Sequence, residues 1–228
     1  MELNYGFKLF LLKLIMERTG SGNYAIQPGV LEVFCGPMKS GKSFEVLKRV
    51  EKLRYMSDAD FVFFKPKIDV RDEKIKSRFG NLDCECILVD EKNPFEICRH
   101  VLPKHKLVVI EEAQFFDFSI VGVINELLNR NINVVVSGLD LDFRGEPFGV
   151  MKNILSLANE VTKLTGICDV KGCNKLATRT QRLVNGAPAS YDEPIISIEG
   201  KNKKEIYECR CRKHHVVPWR DMFINTYE

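Results

Sequence analysis

Short apolar runs alternate with amphipathic stretches along most of this chain. Residues 30–35 carry Val30, Leu31, Val33, Phe34 and Cys35 around one acid and predict a buried strand. After a glycine-rich break, Phe44, Val46, Leu47, Val50 and Leu53 recur at helical spacing through residue 55. Residues 60–65 predict a second strand. Residues 67–82 are polar and charged, include Asp69 and Arg71, and predict a long loop of the kind that serves as a lid. An apolar segment at 84–89 follows, then a helix at 94–101 with Pro94 suited to its first turn. Residues 106–110 predict a strand ending in Glu111-Glu112, and 118–129 a helix. A strand at 132–136 runs into Ser137-Gly138-Leu139-Asp140, a helix covers 147–158, and 161–167 is the last core strand. Strands alternating with helices imply a parallel sheet with helices on both faces, an α/β fold.

From Cys168 the helical period disappears. Short β-type pieces at 177–183, 195–198 and 206–209 are separated by Asn-Gly and proline turns. The expected organisation is an amino-terminal extension (1–28), an α/β domain (29–166), a small β module (167–218) and a tail (219–228). Residues 7–16 are apolar but interrupted by lysines, and lack the unbroken core and cleavage site of a secretory signal. They read as an amphipathic extension, or as the product of a start assigned too early, with Met16 the alternative. Gly20-Ser21-Gly22-Asn23 reads as a linker.

Composition narrows the function classes. The 228 residues suffice for one large domain with a small appendage. Net charge is +3, from 34 basic and 31 acidic residues, which argues against a surface that coats nucleic acid. No apolar stretch is long enough for a membrane span.

The chemistry concentrates in a few places. Gly36-Pro37-Met38-Lys39-Ser40-Gly41-Lys42-Ser43 fits G-x-x-x-x-G-K-[ST], between a predicted strand and a predicted helix. That context makes it a phosphate-binding loop for ATP, with backbone N–H groups and the helix N-terminus facing the phosphates. Lys42 would reach the β- and γ-phosphates and Ser43 would help hold Mg2+. Glu111 and Glu112 end a strand beside this loop, where ligands bind in such sheets. Adjacent strand residues face opposite ways, so one carboxylate can face the metal and the other an acceptor hydroxyl. His100, His105, His214 and His215 all lie outside these segments, leaving a carboxylate as the expected general base.

Eight cysteines could suggest disulfides, but a chain that uses cytoplasmic ATP keeps its thiols reduced. Cys168-x4-Cys173 and Cys211-x2-His214 read as two halves of a structural zinc site, with Cys209 and His215 as alternative ligands. Cys35, Cys84, Cys86 and Cys98 read as small buried hydrophobes. Phe115, Phe116, Phe143 and Phe148 either pack the loops or clasp a planar ring.

Together these motifs resemble the type II, cytosolic thymidine kinases, over nearly all of residues 29–218. The phosphate loop is similar to the family's G-P-M-x-S-G-K-[ST], and Phe64-Lys65-Pro66-Lys67-Ile68-Asp69-Val70-Arg71 to its lid entry. Glu111-Glu112-Ala113-Gln114-Phe115-Phe116 resembles D-E-[AGV]-Q-F-F, and the segment from Gly138 to Phe148 resembles G-L-D-x-x-F-x-x-x-P-F. Arg182-Leu183-Val184-Asn185-Gly186 and Pro188-Ala189-Ser190-Tyr191-Asp192 resemble the bacterial branch.

The resemblance implies a RecA-like P-loop kinase domain with a zinc-binding lasso, transferring the γ-phosphoryl of ATP to the 5′-hydroxyl of thymidine, and of deoxyuridine, in nucleoside salvage. It implies Glu112 as base, Glu111 with Ser43 on magnesium, and Arg71 with Asp69 over the phosphates. Ala113 and Gln114 fall in the nucleotide-contacting segment. Met38, Phe115, Leu139, Phe143 and Phe148 would surround the thymine, and Thr180, Ile196, Ile198, Gly200 and Tyr207 the wrapping loop. Cys168, Cys173, Cys211 and His214 match the zinc ligands. Feedback inhibition by dTTP, a homotetramer and a cytoplasmic location are also implied. The chain departs from the family where Glu111 replaces Asp, where the first cysteine pair is widened, and in the spacing between Gly200 and Tyr207. A contrasting reading, a nucleic-acid-dependent ATPase with a zinc-ribbon module, shares the loop and the cysteines but expects basic clustering.

Overall fold

A computed structural model describes residues 29–51, 60–68, 74–76, 83–197 and 205–219. The expected extension at 1–28, the lid residues Asp69 and Arg71, and Ile198 and Gly200 lie outside the described residues. The main body is a six-stranded sheet of β1 (Leu31–Cys35), β2 (Asp60–Pro66), β5 (Ile87–Val89), β6 (His105–Ile110), β7 (Asn133–Gly138) and β8 (Glu160–Lys163). Its order is β5-β2-β6-β7-β1-β8, and every pair is parallel.

Alternation along the strands divides the core in two. Leu31, Val33, Cys35, Phe64, Val108, Ile110, Val134 and Val136 face α2 (Glu96–His100), α3 (Ile120–Asn129) and α4 (Met151–Leu157). Phe34, Phe63, Leu107, Val109 and Val135 face Val46, Leu47 and Val50 of α1 (Lys42–Glu51). Helices thus cover both faces, as the alternating pattern predicts. Arg49 of α1 grips Glu32 of β1 with two guanidinium nitrogens, at 2.8 and 2.6 Å, pinning the helix that follows the phosphate loop.

Several boundaries differ from expectation. The apolar segment at 84–89 is two strands: β4 (Asp83–Glu85) pairs antiparallel with β3 (Lys74–Lys76), and only β5 enters the main sheet. Part of the predicted 67–82 loop is therefore a hairpin. The predicted helix at 147–158 starts at Met151, because the residues before it are held in a turn. There the Asp142 carboxylate takes the backbone N–H groups of Arg144 and Glu146, and Phe148 N–H donates to the Asp140 carbonyl. The last predicted strand breaks after β8, and residues 166–167 leave for a separate two-stranded sheet as β9 (Gly166–Ile167). The break lets the Leu164 carbonyl lie against Gly36, only 2.4 Å from where a Cβ would stand.

Beyond β9 lie β10 (Leu176–Ala177), β11 (Arg179–Val184), β12 (Ala187–Pro188) and β13 (Glu205–Arg210). β11 pairs with both β12 and β13, antiparallel. Residues 195–197, predicted as extended, form no strand, and Ile195 and Ile196 are exposed. The apolar cluster of this module is Cys168, Ala177, Cys209 and Cys211, flanked by Val170 and Cys173.

Candidate active site

The phosphate loop is shaped by left-handed backbone at Gly36 (φ 146°), Lys39 (φ 61°) and Gly41 (φ 86°). Such alternation turns successive N–H groups inward, making an anion-binding nest at the start of α1. The Lys42 ammonium donates to the carbonyls of Pro37 (2.8 Å) and Gly36 (3.2 Å). Burial pushes its pKa down, while the charges of Glu112, Glu111 and Asp140 pull it back up. Ser40 Oγ is buried with no hydrogen-bond partner.

Glu111 sits where β6 ends, with its backbone N–H on the Phe64 carbonyl of β2. The Ser43 hydroxyl donates to its Oε2 at 3.5 Å, while Oε1 is buried without a hydrogen-bond partner. A hard cation taking oxygen ligands suits this pair, since it would engage both the orphaned oxygen and the Ser43 hydroxyl. Glu112 adopts left-handed backbone (φ 50°) and starts a short 3-10 turn, Ala113–Phe115. This redirects its carboxylate to the Gln114 amide, which donates to Glu112 Oε2. Gln114 is itself fixed, since its Oε1 accepts the Leu139 N–H (3.0 Å) and a Cβ on Gly138 would lie 2.7 Å from it. Ala113 is wholly buried beneath the turn.

Burial first, and then the charge of Glu112, push the Glu111 carboxyl up to about 7, against the pull of Ser137, Lys42 and Ser43. Its folded pKa exceeds the unfolded value, so the native state holds an extra proton between the two. The contribution to stability is complete below the unfolded value and is lost as pH rises through about 7. In magnesium-free buffer, Tm is expected to fall more steeply from about pH 5 to about pH 8 in the wild type than in Glu111→Gln. Equal slopes would show that Glu111 ionises at no cost.

On the far side of the loop, the small β module meets the nest. The Met38 N–H donates to Thr180 Oγ1 (3.1 Å), and Lys39 pairs with Asp169 (2.7 Å). Asp169 Oδ2 also accepts the Cys209 N–H (2.8 Å). Of the predicted pocket residues, Phe143, Phe148 and Thr180 are buried, while Met38, Phe115, Leu139 and Tyr207 are half-buried. Phe115 and Phe148 meet edge to face, with ring centroids 5.8 Å apart. Phe116, the fourth aromatic, packs in the core beneath the sheet. Ile196 is exposed.

Cys168, Cys173, Cys211 and His214 bring their ligand atoms within 4.8 Å of one another. Cys168 Sγ to His214 Nδ1 is 3.5 Å, Cys211 Sγ to His214 Nδ1 is 3.6 Å, and the Cys173 and Cys211 sulfurs are 4.0 Å apart. A tetrahedral zinc with bonds of about 2.0–2.3 Å holds its ligand atoms roughly 3.5–3.8 Å apart, so the set fits. Cys209 lies outside it, against Gly166, and His215 Nε2 bonds the Phe143 carbonyl instead (2.8 Å). The wider loop between Cys168 and Cys173 is therefore compatible with convergence, and it supplies Asp169.

Two charged contributors escaped the sequence reading. Asp140 is buried and paired with Lys163 at 2.7 Å, close enough to Lys42 to favour its charge. Arg182 is 1% exposed, with its guanidinium 4.0 Å from the Phe143 ring centroid. Asp140 stands within a quoted motif, but no periodicity marks it as buried. Arg182 follows Thr180 by two on a strand, which is the one available signal that it shares that residue's face.

The sequence matches the family model described as thymidine kinase over residues 29–215. It is 43% identical over 192 residues to the thymidine kinase of Onion yellows phytoplasma (strain OY-M), covering 83% of this chain and 88% of that relative. With the thymidine kinase of Coprothermobacter proteolyticus (strain ATCC 35245 / DSM 5265 / OCM 4 / BT), identity is 42% over 198 residues, or 86% and 95% of the two chains. Among solved structures, the large terminase of a thermophilic bacteriophage shares a TM-score of 0.39 at 10% identity, over 68% of this chain and 44% of that one. That likeness is too slight to bear on fold or function. Across both the parallel sheet and the cysteine-rich module, the chain belongs to the thymidine kinase family.

Proposed function

We propose that this chain transfers the γ-phosphoryl of ATP to the 5′-hydroxyl of thymidine, and of deoxyuridine, giving the nucleoside monophosphate for DNA synthesis. The observation that carries the reading is the placement of Glu111 and Glu112 at the end of β6, with Ser43 of the phosphate loop 3.5 Å from Glu111. The naming of its relatives as thymidine kinases supports the acceptor.

In the proposed mechanism, the loop from Gly36 to Ser43 cradles the phosphates with its N–H groups. Lys42 exchanges the carbonyls of Pro37 and Gly36 for phosphate oxygens. Ser43 and Glu111 would hold Mg2+, which would supply neutralisation of the phosphate charge. Glu112 accepts the 5′-hydroxyl proton, and Gln114 keeps its carboxylate turned toward the acceptor. Arg71, with Asp69, would close over the phosphates. Glu111 is one methylene longer than the family's usual Asp, a displacement of roughly an ångström, large enough to matter for positioning.

The nucleoside would lie among Met38, Phe115, Leu139, Phe143 and Phe148, and the lasso residues Thr180, Ile196, Ile198, Gly200 and Tyr207. Thr180 and Met38 are already joined by a hydrogen bond, so the loop that serves the donor also borders the acceptor. Cys168, Cys173, Cys211 and His214 would hold a structural Zn2+ with no open position. No helix among the described residues is long and apolar enough to cross a membrane. A cytoplasmic homotetramer inhibited by dTTP completes the proposal. The exposed edge strand β8 is one surface through which copies could pair.

Incubation with ATP, magnesium and each nucleoside in turn tests the reading. Formation of dTMP is expected. ATP hydrolysis that responds only to single-stranded DNA, with no monophosphate formed, would replace the kinase reading with that of a nucleic-acid-dependent ATPase.

A further inference from the structure

Arg182 is among the largest fully buried side chains of the chain. Its surroundings are unusual for a buried cation. One face of the guanidinium lies over the Phe143 ring at 4.0 Å, and Nη1 donates to the Pro194 carbonyl at 2.6 Å. Tyr207, its cross-strand partner on β13, stands directly opposite it in the ladder. Among the described residues no carboxylate is in contact with it, and Nε is buried without a partner. Burying a charge in such a place is costly unless hydrogen bonds and ring contacts compensate it, so the groups that do so are held in place by it.

Those groups belong to separate parts of the fold. Phe143 comes from the turn after β7, Pro194 from the stem entering the lasso, and Tyr207 from the strand leaving it. The Tyr207 hydroxyl donates to Glu205 (3.4 Å), which also accepts the Ser197 hydroxyl (2.7 Å) and so closes the neck of the lasso. Thr180, two residues before Arg182 on β11, holds Met38 of the phosphate loop from the same strand face. Arg144 also lies over the Phe143 ring, at 5.5 Å, and donates to the Glu193 carbonyl.

We propose that Arg182 is a positioning residue for the nucleoside. It locks the Phe143 wall to the lasso stem, so that the acceptor pocket is assembled before thymidine arrives. The inference rests on the pocket assignment made above. A pre-assembled pocket spares the nucleoside the cost of ordering it, so the effect belongs in acceptor affinity. ATP affinity and the chemical step depend on the phosphate loop and Glu112, which Arg182 does not touch.

The test is steady-state kinetics on Arg182→Met, which keeps an unbranched apolar stem, alongside Phe143→Leu and the double variant. Thymidine KM is expected to rise at least about tenfold in Arg182→Met with kcat within about threefold, since part of the loss of a cation–π contact and a charged hydrogen bond passes to nucleoside binding. The KM for ATP and the zinc content should match wild type, and the double variant should be little worse than Phe143→Leu alone. If Arg182→Met does not fold, Arg182→Lys is read instead. Its ammonium cannot both lie flat on the ring and reach Pro194, so thymidine KM should still rise about threefold or more.

An unchanged thymidine KM in the Arg182 variant, with a raised one in Phe143→Leu, overturns the role of Arg182 and leaves the pocket standing. An unchanged KM in Phe143→Leu overturns the pocket assignment itself. A parallel loss of kcat and ATP affinity, or fully independent effects in the double variant, marks a general loosening and also overturns the proposal.

Discussion

Glu112→Gln is expected to lower kcat by about 10²- to 10⁴-fold, the usual contribution of a positioned general base, while thymidine KM stays within about threefold. The substitution keeps length, shape and the ability to accept the Gln114 amide, so the 3-10 turn that begins at Glu112 should survive. What disappears is the capacity to take a proton from the acceptor hydroxyl. Ground-state contacts with the nucleoside are made by other residues, which is why binding should be spared. The left-handed backbone at Glu112 makes the separation of roles physical: it turns this carboxylate away from the direction taken by Glu111, which meets Ser43. Steady-state kinetics decide the matter. A variant that keeps more than about a tenth of wild-type kcat would remove Glu112 from the base position, because base catalysis accounts for at least about 10²-fold.

How much of this was legible in the sequence depended on whether the signal was local. The strand, loop and helix around Gly36–Ser43 follow from a spacing that leaves the chain few alternatives, and the succession of the main strands follows from alternation of apolar runs with amphipathic ones. The errors arise where side chains compete with the backbone. Asp142 captures two N–H groups and delays α4 to Met151, an outcome that helical periodicity at Phe148 and Val150 conceals. The break after β8 goes with the close approach of Leu164 to Gly36, a long-range contact with no local mark. Arg182 is the sharpest case. Beyond its spacing from Thr180, nothing local marks this arginine as buried, and the meeting of Phe143, Pro194 and Tyr207 turns it inward. The cysteine set, by contrast, was open to two readings by spacing alone. The fold separates them by using Cys209 as packing against Gly166 and His215 as a donor to Phe143.

The second large effect should follow from breaking the Cys3His cluster. The module from β9 to β13 has an apolar cluster made mainly of Cys168, Cys209 and Cys211 with Ala177, which is too little to fix it without help. Structural zinc supplies about 10–16 kcal/mol in isolated zinc-finger peptides, far more than any single contact here. The half-exposed Lys39–Asp169 pair, for comparison, is worth about 0–1 kcal/mol. Cys211→Ser should therefore strip the metal and free β11 and the lasso, with thymidine KM rising at least about tenfold as the pocket loses Thr180 and Tyr207. A smaller loss should appear on the donor side, because Asp169 would no longer hold Lys39 between the cluster and the phosphate loop. The KM for ATP should rise no more than about fivefold, the limit set by an exposed ion pair. Metal analysis and two-substrate kinetics on the same preparation test both parts. A metal-free variant with wild-type thymidine KM would mean that the module stands without zinc, and a larger loss for ATP than for thymidine would mean that the cluster serves the phosphate loop before the nucleoside.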